Sequence, residues 1–343
     1  MLGTGNRACE LSEANARAGF RFCQITNDMI YTVTLNPALD RNLFVEGIKY
    51  DDSNRILRDE RFAGGKGIDV SRVLTTLGVR NKAMGFVGGF DGEELEGRLL
   101  NEGIACDFTR ISGETRTNII INDTGKESQT VFSVPGPEIK PYELMQFIHK
   151  AEKLEDPEMV IISGSLPRGV HAEIYGKVMD LAKEKGAKIV LDTDGDALKN
   201  CINRAPDIIK PNLHELGRLS GRDLKSADEI VETALEICSR CSCTLLVSLG
   251  ARGILLAQEK ELLLAVPPAV EVVNTIGAGD SAVAGYVYGI TAEKSIQESL
   301  ICAVAAGTAT TLRPGPALCT REDFEGLIPR VTLYRQDEIT KVL

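Results

Sequence analysis

No stretch of this 343-residue sequence approaches the roughly 18 apolar residues that would span a bilayer. Positive charge is also scarce: 39 Lys and Arg stand against 49 Asp and Glu, a formal net charge of −10. Nucleic-acid and anionic-membrane surfaces need a basic field, so neither partner is expected, and an anionic substrate would need a local cluster of basic groups. A disulfide framework is missing too, since the nine cysteines are odd in number and scattered. That usage suits reduced thiols and a cytoplasmic location. Cys238, Cys241 and Cys243 lack a fourth close ligand at zinc-site spacing and read as small buried apolar residues.

The commonest nucleotide fingerprints are absent as well. There is no Gly-x-x-x-x-Gly-Lys-Ser/Thr loop, and no Gly-x-Gly-x-x-Gly follows the first strand. Residues 1–28 contain Glu10 and Glu13 and no apolar run, which excludes a signal peptide; they read as a disordered extension ahead of Met29. No internal repeat or low-complexity linker interrupts the rest of the chain.

From Ile30 onward short β-branched runs alternate with helical patterns, as in a parallel sheet with crossover helices. Ile30 to Leu35 is the first strand, and further buried strands are expected at Ala83 to Val87, Met159 to Ile162, Lys188 to Leu191 and Leu245 to Leu249. Val70, Val73, Leu74 and Leu77 repeat at helical spacing and stop at Gly78. Two regions break the rhythm, about 40–62 and 106–135. In the second, Thr117 to Ile121 and Glu127 to Val134 flank Asn122-Asp123-Thr124-Gly125 as a hairpin would, and the two regions together predict a small β lid. The main domain is expected to span 29–330, with 331–343 as a tail.

Three segments carry chemistry. In Asn274-Thr275-Ile276-Gly277-Ala278-Gly279-Asp280-Ser281 a strand turns through two glycines into a small-residue helix. Backbone N–H groups at such a helix start can cradle a phosphoryl oxygen, with Asp280 facing an acceptor hydroxyl. On the turn alone, Asp280 could equally be a helix N-cap. Ala63-Gly64-Gly65-Lys66-Gly67-Ile68-Asp69 opens a second helix, where glycines permit close ligand approach and Lys66 is either a ligand cation or a solvated one. Asn212 and Glu215, after Lys210-Pro211, share one face of a helical turn; they suit either Mg²⁺ or a capping box.

Together, and in this order, these segments resemble the PfkB carbohydrate kinases, from Ile30 to about Arg330. Thr34-Leu35-Asn36-Pro37-Ala38-Leu39-Asp40, Asn54-Arg55 and Ile162-Ser163-Gly164-Ser165-Leu166-Pro167 are similar to the branch containing 1-phosphofructokinase and tagatose-6-phosphate kinase, as is Asn274 where ribokinases carry Asp. The resemblance implies an α/β ribokinase-like three-layer α/β/α fold with a mainly parallel sheet and a β lid. It implies ATP-dependent, Mg²⁺-assisted phosphorylation of a sugar phosphate, first of all fructose-1-phosphate, with tagatose-6-phosphate or fructose-6-phosphate as alternatives. A non-catalytic sugar-phosphate sensor is the rival from another class. By position, Asp280 corresponds to the base and Gly277, Ala278 and Gly279 to the anion hole. Asp40, Gly64, Gly65, Lys66, Asp69, Arg116, Asn118 and Ser165 correspond to acceptor contacts, with Lys66 and Arg116 orienting the substrate phosphate. Lys210, Asn212, Ser248, Gly250 and Gly253 fall on the nucleotide side, and Asn212 and Glu215 on the metal. Asp69 departs from the Asn usual in this branch, replacing an amide by a carboxylate near an anionic substrate. An apolar lid with open edges leads to the expectation of a homodimer formed through it.

Overall fold

The computed structural model describes residues 29–126, 128–259 and 261–343; the expected N-terminal extension lies outside them. A ten-stranded sheet forms the centre. From edge to edge it runs Ala105–Arg110, Asn81–Val87, Met29–Thr34, Pro157–Ser163, Lys188–Asp192, Ile208–Ile209, Thr244–Ser248, Ile254–Gln258, Glu261–Val266 and Thr332–Arg335. All neighbours through Thr244–Ser248 pair in parallel. The last three strands add antiparallel.

Side chains alternate across a strand, and the core divides accordingly. Tyr31, Val33, Val160, Ile162, Ile189 and Leu191 pack into one apolar layer with Phe147, Tyr175 and Ile237. Ile30, Met159, Ile161 and Val190 pack into the opposite layer with Val70, Val73, Leu74, Tyr286 and Ala303. A sheet buried on both faces reads as near-continuous apolar runs, which is why these strands were visible in sequence. The helix Lys66–Thr76 buries Val70, Val73 and Leu74, and Gly78, at φ 78, donates its N–H to the Thr75 carbonyl at 2.9 Å. No described helix is long and apolar enough to cross a membrane.

A second, four-stranded sheet lies in the order Arg58–Gly64, Ala38–Val45, Arg116–Asp123, Ser128–Phe132. The hairpin appears as expected, with Asp123 opposite Ser128. The Asp123 carboxylate accepts N–H bonds from Gly47 at 2.8 Å, Ile48 at 3.1 Å and Gly125 at 3.0 Å, which ties that turn to the loop after Val45.

Two boundaries need correction. Residues 105–110 do not belong to the lid: they pair in parallel with Lys82–Val87 as an edge of the large sheet, driven by burial of Phe108 against Leu95 and Leu99. Residues 331–343 are not a tail. Thr332–Arg335 pairs with Leu263–Val266, and the following helix, Gln336–Val342, buries Ile339 completely.

Candidate active site

Strands Met29–Thr34, Pro157–Ser163 and Lys188–Asp192 end side by side under the lid, where open α/β sheets place their ligands. The helix Ala278–Thr291 begins at this end. Its first residue follows Gly277, whose φ of 75 is left-handed, so the chain enters the helix through a turn that a side chain would strain. A Cβ at Gly277 would also lie 2.6 Å from Leu318 Cδ2. Asn274 braces the turn, its Oδ1 accepting N–H bonds from Thr275 at 2.8 Å and Ile276 at 3.1 Å, while its amide donates to the Gly315 carbonyl.

Asp280 lies within the first turn, so the N-cap alternative does not hold: Gly277 is the cap and no side-chain cap bond is made. The Asp280 carboxyl is only 9% exposed and has no hydrogen-bond partner among the described residues. Burial pushes it up to about 7, the neighbouring charge of Asp192 adds to that, and Lys66 and Lys210 oppose it.

Asp192, at the carboxyl end of its strand, is fully buried and accepts from Lys66 Nζ at 3.0 Å; Lys210 Nζ lies 3.4 Å from its other oxygen. Burial opposes its ionisation, but the Lys210 and Lys66 ammonium groups hold its carboxyl below the usual range. Burial would likewise strip Lys66 of its proton, yet Asp192, Asp280 and Glu215 more than reverse this and raise its pKa. Lys66 is therefore anchored at the Asp280 end of the cleft.

On the lid side, Asn118 Nδ2 donates to Asp40 Oδ1 at 2.8 Å. Burial raises the Asp40 carboxyl, with the Asn118 bond and the charges of Arg116 and Arg72 opposing. Gly64 is held to glycine by this neighbour, since a Cβ there would sit 2.7 Å from Asp40 Cγ. Asp69 is buried with Oδ1 at 3.5 Å from Arg72 Nη1. Its carboxyl lies well above the usual range through burial and through Asp280 and Asp40, against Arg72. Arg116 donates to the carbonyls of Pro37 at 3.4 Å, Val134 at 3.0 Å and Asn36 at 2.8 Å. Ser165 Oγ bonds Asn36 Nδ2 at 3.2 Å.

On the other side of the helix start lies a cavity of about 1020 Å³, lined by Asn212, Ser248, Gly250, Gly253, Ala278 and Gly279 among the expected residues. Pro267, Pro268, Gly307 and Thr311, which sequence reading did not single out, line it as well, together with Val272. Lys210 borders it, with Nζ 3.5 Å from the Cβ position of Gly279. Asn212 and Glu215 form a reciprocal capping box for Leu213–Ser220, at 2.9 and 2.8 Å. Glu215 also faces the charges of Lys66 and Asp280. Among the described residues no group of three or more His, Cys, Asp or Glu could hold a metal ion alone. An oxygen-only set of few side chains is what Mg²⁺ accepts, with water and phosphate filling the remaining positions. Cys238, Cys241 and Cys243 lie in the core away from this site, the thiol of Cys243 pushed up to about 12 by burial.

Sequence reading missed Asp192 and Arg72, and quoted Asn36 in a motif without assigning it to the site. Asp192 had a usable signal, because it closes an apolar strand at its carboxyl end.

A buried, unpartnered carboxyl at the amino end of a helix, faced by two lysines and bordered by a nucleotide-sized cavity, has the make-up of a phosphoryl-transfer site. Residues 33–323 match the pfkB family of carbohydrate kinases, and the chain belongs to that family, with its ribokinase-like fold. It is 35% identical over 307 residues to the 1-phosphofructokinase of Bacillus subtilis (90% of this chain, 100% of the relative). It is 36% identical over 288 residues to the D-tagatose-1-phosphate kinase of Bacillus licheniformis (84% and 94%). The crystal structure of phosphofructokinase-2 from Escherichia coli in complex with fructose-6-phosphate superposes with a TM-score of 0.83 at 30% identity, over 88% of this chain and 99% of the other.

Proposed function

We propose that this sugar kinase transfers the terminal phosphoryl group of ATP to a hydroxyl of a ketose 1-phosphate, with fructose-1-phosphate as acceptor and fructose-1,6-bisphosphate as product. The observation that carries the transfer is Asp280: buried, unpartnered, and seated in the first helical turn after Gly277 beside Lys66 and Lys210. It takes the proton of the acceptor hydroxyl, while the amides of Gly277, Ala278 and Gly279 hold the phosphoryl oxygens. Lys66, kept charged by Asp192, counters charge on the group in transit. Arg116 spends three of its five N–H donors on carbonyls and keeps two for the acceptor phosphate. Asp40, Asn118, Ser165 and Asp69 face the acceptor's hydroxyls, and the lid excludes water that would hydrolyse ATP. Asn212 and Glu215 would hold a magnesium ion, which when bound neutralises phosphate charge.

The acceptor class is supported by the two Bacillus relatives, both named for ketose 1-phosphates. D-Tagatose-1-phosphate is accordingly the second reading. The test is a coupled ADP-release assay with fructose-1-phosphate, tagatose-1-phosphate, fructose-6-phosphate and tagatose-6-phosphate. The highest kcat/KM is expected for fructose-1-phosphate. Preference for a 6-phosphate would overturn the acceptor assignment, and sugar-phosphate binding without ADP release would favour a sensor.

A further inference from the structure

Between the first central strand and the first lid strand the chain passes through Asn36 and Pro37, and this dipeptide touches both flanks of the acceptor site. Its two carbonyls accept from Arg116, at 2.8 Å for Asn36 and 3.4 Å for Pro37. The Asn36 side chain, 7% exposed, reaches the other way to Ser165 Oγ at 3.2 Å. Ser165 follows the strand Pro157–Ser163 of the main sheet, whereas Arg116 opens the lid strand Arg116–Asp123. Asn36 thus joins two acceptor-facing groups that belong to separate sheets.

The amide is held on one side only. Its Oδ1 is buried without a partner, and turning the amide over would exchange which end bonds Ser165 and which is left unmatched. The unmatched end faces Gly136, in the segment that leads from the lid back to the main domain. A Cβ at Gly136 would lie 2.8 Å from Asn36 Cγ and closer still to Oδ1. Gly136 does not have a left-handed φ, so alanine there would act through this collision alone.

We propose that Asn36 is a positioning residue of the acceptor site, setting Ser165 and Arg116 at a fixed separation between the two sheets, and that Gly136 is a glycine because it makes room for that amide. The proposal rests on the reading of Ser165 and Arg116 as acceptor contacts. Loss of this preorganisation weakens binding of the acceptor while leaving the nucleotide side and Asp280 untouched.

The experiment is steady-state kinetics of Asn36→Ala, Gly136→Ala and the double variant, varying fructose-1-phosphate and ATP separately. Each single variant should raise the acceptor KM by about 10-fold or more, with kcat and the ATP KM within about 3-fold of the parent, as expected for lost binding and retained chemistry. The double variant should match Asn36→Ala, because the new Cβ then meets no amide; non-additivity of this kind marks a shared contact. Unchanged acceptor KM values, equal changes in both KM values, or additive effects in the double variant would overturn the proposal. Should Asn36→Ala not fold, Asn36→Leu keeps the approximate size and removes the bond to Ser165, and it should still raise the acceptor KM; a parental value would overturn the proposal. Absence of activity in the parent enzyme would instead refute the assigned reaction.

Discussion

Asp280 reaches its ordinary ionised form only above a pKa that burial, Asp192 and Glu215 raise to about 7. A base must be deprotonated to act, so kcat/KM should fall as pH drops through about 7, and a pH–rate profile of the free enzyme reports that limb. The same shift has the opposite sign for stability. The folded state holds the proton more tightly than the unfolded one, so from this group stability is complete below about 4 and declines as pH rises through about 7. Asp280→Asn should therefore melt at a higher temperature than the parent at pH 8 and show little gain at pH 4. A profile flat from pH 5 to 8 would contradict the assignment. Glycine turns flag Asp280 and Lys66 in the sequence, whereas Asp40 came only through the resemblance of the Thr34 to Asp40 segment to the family. Asp192 was not singled out: its place at the carboxyl end of an apolar strand is a signal, but the two lysines that pair with it, Lys66 and Lys210, are distant in the chain and leave no local pattern.

At the scale of elements, the long central strands and their helices could be read because burial on both faces writes continuous apolar runs. The exceptions have physical causes. Thr332–Arg335 is a four-residue edge strand whose Leu333 and Tyr334 face opposite layers. Residues 105–110 were counted with the lid because whether such a segment joins lid or main sheet depends on its partner, which no local pattern specifies. The C-terminal correction has a consequence for stability. Thr332–Arg335 covers the edge of Glu261–Val266, whose Leu262, Leu263 and Leu264 are buried, and the helix after it adds Ile339. Deleting residues 331–343 should lower the Tm by roughly 5 °C or more and promote aggregation through the opened edge, measured by thermal unfolding and light scattering. A truncated chain with the parental Tm would contradict this role.

For the whole molecule, the lid leaves an unusual surface. Its outer strands, Arg58–Gly64 and Ser128–Phe132, are open edges, and Ile56 (46%), Leu57 (58%), Val131 (47%) and Phe132 (54%) beside or within them are exposed. Open edges with apolar side chains favour pairing with a second copy, so sedimentation at micromolar concentration should give a homodimer. A fully active monomer would count against that reading. The proposed reaction turns on one event, proton removal by Asp280 as the phosphoryl group arrives at the helix start. The most direct test is acceptor-dependent ADP release by Asp280→Asn at pH 8, with fructose-1-phosphate binding measured in parallel. The expected result is a kcat lowered by about 10²–10⁴-fold with acceptor binding retained. Turnover within a few fold of the parent would contradict the assignment of Asp280 as the base.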